Sequence, residues 1–72
     1  MERWKVQKFT GDGAKEFEVD AEWLKGVDRV EDIKSLVLHK DTKERLEVEY
    51  NGGDIVFYEN VFGSWGFPTV LN

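Results

Sequence analysis

The chain has 72 residues, 15 acidic against 10 basic for a net charge of −5, and no cysteine. That length allows one domain, 1–72, with one core; the missing thiols remove disulfides and thiolate metal sites, and the acidic balance works against binding a bare phosphate backbone. The charged start Met1-Glu2-Arg3-Trp4-Lys5 lacks the apolar run of a signal peptide and no stretch reaches the roughly 18 apolar residues of a membrane span, so the expectation is a cytoplasmic protein with no membrane contact.

Trp4 and Val6 alternate with Arg3 and Lys5, which reads as a strand over residues 3–9. Two glycines in Thr10-Gly11-Asp12-Gly13 suit a turn, and Phe17 and Val19 alternate with Glu16, Glu18 and Asp20, completing an N-terminal hairpin. The period then changes. Asp20 can cap, Ala21 to Lys25 are mostly helix formers, and Gly26 suits the position after a helix end, so one short helical segment is expected here. Asp28 and Glu31 repeat the capping spacing ahead of the next strand.

Ile33 to His39, Arg45 to Tyr50 and Asp54 to Glu59 read as a three-strand meander, with a type I′ turn expected at Asn51-Gly52 and a bulge at Gly53. Leu46, Val48 and Tyr50 face one way on the middle strand, while Glu47 and Glu49 face water. Leu36-Val37-Leu38 and Ile55 to Tyr58 are apolar at consecutive positions, which implies cover on both faces, or a partner on the second. Residues 60–72, rich in aromatic residues and glycine, are the expected lid over the sheet. The fold class is thus α+β and strand-rich: a small five-stranded antiparallel sheet, strongly curled or barrel-like, with one short helical segment between the hairpin and the meander.

Signals for catalysis are thin. His39 is the only histidine and has no evident nucleophile or orienting group beside it, the acid pairs sit on solvent faces, and the turn aspartates lack the spacing of a calcium loop. No enzyme activity, cofactor or metal is expected. Binding has three candidate surfaces.

Rows of acid, Glu16 with Glu18 and Glu47 with Glu49, extended by Glu59, could imitate a phosphate backbone and engage a basic protein. Phe62, Trp65 and Phe67 could anchor a partner or close over the sheet. Surface aromatics on a small barrel could stack single-stranded nucleic acid, although Lys5, Lys8, Lys15 and Lys40 are scattered along an acidic chain, which makes nucleic acid the lesser expectation. The reading is therefore a small acidic protein-interaction module, an inhibitor or adaptor of the kind mobile genetic elements encode, acting on a basic protein. Single-strand binding and a purely structural or homodimerising role are the alternatives.

Overall fold

The computed structural model describes residues 2–10, 13–40 and 43–71. Alternating apolar residues generate six strands: β1 Trp4–Thr10, β2 Gly13–Val19, β3 Ile33–Lys40, β4 Glu44–Tyr50, β5 Ile55–Val61 and β6 Ser64–Leu71. They pair in the order β2-β1-β3-β4-β5-β6, with β1 and β3 parallel and every other neighbouring pair antiparallel. The expected five-stranded antiparallel sheet is corrected on two points: it has six strands, and it is mixed.

The sixth strand comes from the segment expected to be an irregular lid. Phe62-Gly63 reverses the chain, and Val61 to Ser64 begins a ladder that runs to Ile55 with Leu71. Pro68 is tolerated because β6 lies at the sheet edge and the register shifts between Phe57 and Glu59, where a bulge in β6 absorbs the residue that cannot donate.

The expected helical segment is a series of tight turns. Leu24 N donates to Ala21 O at 3.2 Å and Lys25 N to Glu22 O at 3.2 Å, both i to i+3, and only Val30–Asp32 forms a 3-10 turn. Six residues are too few to offset helix nucleation. Asp20 does cap, its Oδ1 accepting from Trp23 N at 3.1 Å, but it caps a turn. The second capping site fails: the residue before the 3-10 turn is Arg29, at φ 49, with no side-chain cap. At Asn51-Gly52-Gly53 only Gly53 has positive φ (96), so the expected I′ turn is instead a type I turn closed by a bulge. The expected turn residues Gly11 and Asp12, and Asp41 and Thr42 between β3 and β4, lie outside the described residues.

One face of the sheet is covered and one is open. Val6, Val19, Leu36, Leu38, Leu46, Val48, Tyr50, Val56 and Tyr58 project from the covered face and pack with Leu24 and Val27 of the segment between β2 and β3. Two tyrosines fasten that segment. Tyr50 OH donates to Asp28 O at 2.7 Å, Asp28 N donates to Tyr58 OH at 3.3 Å, and the two hydroxyls are 2.9 Å apart. Since the Tyr50 proton is committed to Asp28, Tyr58 donates to Tyr50, and both main-chain groups of Asp28 are satisfied within the closed circuit. The Arg29 guanidinium lies 4.2 Å from the centre of the Tyr50 ring.

The same segment explains why the sheet stays open. Trp23 packs edge-on against Phe17 of β2 (5.9 Å between ring centres) and, tilted, against Trp65 of β6 (5.3 Å). Trp65 Nε1 donates to Trp23 O, and Trp65 N donates to Lys25 O at 2.8 Å. An aromatic wedge thus stands between the two edges, and no ladder joins β2 to β6 among the described residues. The sheet is therefore open and does not close into the barrel-like alternative: β1 is interior, flanked by β2 and β3. Gly26 is required here, because it sits at φ 100 and a Cβ would overlap the Trp65 carbonyl.

Candidate functional site

The residues expected to bind fall into two groups with opposite fates. Among the acids, Glu16 and Glu18 lie on edge strand β2, while Glu47 and Glu49 lie on β4, with β1 and β3 between them. Three strand spacings of about 4.8 Å put the rows roughly 14 Å apart, so they form two patches. Most of these carboxylates are already paired. Glu16 is 4.0 Å from Lys5, Glu47 Oε1 is 2.9 Å from His39 Nε2, Glu49 is 3.7 Å from Lys34 and accepts from Ser35 Oγ, and Glu59 is 3.5 Å from Lys43. Glu18 alone of the five has no side-chain partner of this kind among the described residues.

His39 fits a structural position. Its ring is held by Glu47 and lies 5.9 Å from the Phe57 ring on the open face. Among the described residues, no three His, Asp or Glu side chains gather as metal ligands.

The aromatic group divides differently. Trp65 is buried, 5% exposed, in the wedge described above. Phe62 is fully exposed, and Phe67 is 70% exposed. Their backbones explain how they come to project: Phe62 has φ 51 and Phe67 has φ 49. Phe62 and Gly63 form the two-residue turn between β5 and β6, both at positive φ, where asparagine-glycine is the favoured pair. Phe67 occupies the bulge immediately before Pro68, and a residue preceding proline is itself restricted. Left-handed backbone in a bulky side chain costs on the order of 1–3 kcal/mol. Two such positions, both carrying phenylalanine into solvent, make little sense as stabilisers of the fold.

Two further apolar residues of the same hairpin are exposed. Val70 (58% exposed) and Leu71 (54% exposed) continue along β6 beyond the bulge. They fall in the segment expected to be a lid; the signal available was a pair of apolar residues shortly after Pro68, a proline position compatible with an edge strand. Four of the five exposed large apolar side chains among the described residues belong to the turn and strand 62–71, and the fifth is Phe9.

The chain matches no family model, no curated protein and no solved structure at a significant level. Among the described residues no helix is long and apolar enough to cross a membrane.

Proposed function

We propose that the chain is a small protein-binding module, acting as an inhibitor or adaptor without catalysis, that docks through the apolar edge formed by Phe62, Phe67, Val70 and Leu71. The observation that carries this reading is the pair of exposed phenylalanines at positive φ. Aromatic anchors of this kind dominate interface energies when a partner pocket desolvates them. Contact is made by side chains, because Pro68 and the bulge interrupt the row of main-chain donors that an added strand would need.

The partner is a protein of basic character. A net charge of −5 attracts it at long range, and the acidic patches around Glu18 and Glu47 speed encounter, while the ion pairs already made limit their contribution to affinity. Imitation of a phosphate backbone has weaker support, since the acids lie in two separated patches.

The test is comparative capture from native lysate treated with nuclease, using the tagged chain and its Phe62→Asn/Phe67→Asn variant. A basic protein retained by the first and lost by the second is the expected outcome. Equal retention by both would remove the β6 edge from the reading, and recovery that disappears with nuclease would replace the protein partner by nucleic acid. Sedimentation of the chain alone should give a monomer; a dimer dissociated by the same variant would make a second copy the occupant.

A further inference from the structure

The covered face of the sheet is not apolar throughout. Its strands become polar at one common end: Lys8 follows Val6 on β1, Lys15 precedes Phe17 on β2, Lys40 follows Leu38 on β3, Glu44 precedes Leu46 on β4 and Asn60 follows Tyr58 on β5. There, with Glu16 and Gly63, they surround a cavity of about 510 Å³ that Phe17, Trp23, Leu38 and Trp65 also line. Cavities of roughly 300–1,000 Å³ with apolar walls and a few convergent polar groups suit small ligands.

The polar rim is unevenly compensated. Glu44 is 3.4 Å from Lys40 and accepts from Asn60 Nδ2 at 2.7 Å, so this carboxylate is held in place. Lys8 and Lys15, by contrast, stand directly opposite each other on β1 and β2. Among the described residues neither has a carboxylate within 4.0 Å. Like charges at directly opposed positions destabilise an antiparallel pair, and a bound anion between them would reverse the sign of that contribution.

We infer that this cavity binds a nucleotide-like aromatic anion, with a planar heteroaromatic ring against Trp23 and Trp65, its phosphate between Lys8 and Lys15, and its exocyclic amino group donating to Glu44. A base offers the π-face and N–H donors that such walls recognise, and a monophosphate offers the charge. The same chemistry occurs at the end of a single-stranded nucleic acid. A free nucleotide is favoured, because the phosphates of a longer strand would meet a protein of net charge −5.

Trp23 and Trp65 provide the readout. Adenosine 5′-monophosphate, adenosine, inorganic phosphate and a short oligodeoxyadenylate are each titrated into the full chain while tryptophan fluorescence is followed. The monophosphate should quench saturably, adenosine should bind at least about tenfold more weakly, and phosphate alone should leave the emission unchanged. Lys8→Gln and Lys15→Gln should each weaken the monophosphate by about tenfold while raising Tm slightly, because removing either charge relieves the repulsion. No saturation by about 5 mM, or unchanged affinity in a folded Lys8→Gln/Lys15→Gln variant, would overturn the inference. An oligonucleotide bound over about tenfold more tightly than the monophosphate, with steep salt dependence, would overturn the free nucleotide in favour of a strand.

Discussion

The sheet has two edges, and they are finished in different ways. Edge strand β2 exposes Lys15, Glu16 and Glu18, so a second chain approaching it meets charge. Edge strand β6 carries Pro68 and a bulge, which interrupt the row of main-chain donors, yet it leaves Phe67, Val70 and Leu71 in water and is entered through a turn tipped by Phe62. Either finish prevents unwanted strand addition. Only the second exposes aromatic side chains, at backbone conformations that cost stability, in a domain of a size whose core rarely supplies more than about 3–5 kcal/mol. Protection of the edge does not require those phenylalanines, and a binding surface does.

The edges also differ in how firmly they are held, and truncating one aromatic on each measures the difference. Trp65→Ala removes a buried ring, its hydrogen bond to Trp23 O and one side of the wedge, at a cost of about 3–5 kcal/mol, comparable with the whole net stability. The expected result is a chain largely unfolded at 25 °C by near-UV circular dichroism. Phe17→Ala on β2 removes a half-buried ring and costs about 1 kcal/mol, lowering Tm by roughly 4–8 °C. Equal losses would mean that the wedge holds both edges alike and that β6 has no special anchorage.

Between the edges, the Tyr50 and Tyr58 hydroxyls fasten the covering segment, and this part of the molecule responds to pH. Burial and the neighbouring Tyr58 push the Tyr50 phenol well above its ordinary value near 10. The folded state therefore keeps a proton that the unfolded state releases, so this contribution is fully present below about pH 10 and is lost as pH rises from there through the folded value. Chemical denaturation between pH 8 and pH 11 should show falling stability over the upper part of that range. Tyr50→Phe should be less stable at neutral pH by about 1–3 kcal/mol, since Asp28 O loses its donor, and its decline above pH 10 should be shallower. A variant declining as steeply as the parent would shift the alkaline sensitivity to other groups.

How much of this was legible follows from the range of each signal. Two-residue alternation is local, and it located β1 to β5 closely: the strand expected at Arg45–Tyr50 is Glu44–Tyr50, and that at Asp54–Glu59 is Ile55–Val61. The glycines and Pro68 broke the same pattern in β6, so a strand read as a lid. The parallel pairing of Val6 with Leu36 left no trace in either segment, because pairing between distant strands is decided by packing of the intervening chain. Of the candidate site, Phe62 and Phe67 were named from composition, but their separation from Trp65 depends on positive φ at two phenylalanines, which propensity argues against. Lys8 and Lys15 looked scattered because only strand register sets them face to face, and only the parallel pairing of β1 with β3 brings Lys40 to the same cavity.

The smallest predicted effect bears most directly on the contrast between the edges. Phe62→Asn places the favoured residue in the turn, keeps Gly63 and sacrifices no burial, because the ring makes none. Relief of the left-handed strain should raise stability by about 1 kcal/mol and Tm by roughly 4–8 °C, while weakening capture of the partner. Glu18→Ala on the opposite edge, also exposed and not at positive φ, should move Tm by less than about 3 °C in either direction. If Phe62→Asn instead lowers Tm, the ring contributes to the fold, and its exposure no longer argues for a partner. If it raises Tm and leaves capture intact, the strain is real but the anchor lies elsewhere on β6, with Phe67 the next position to replace.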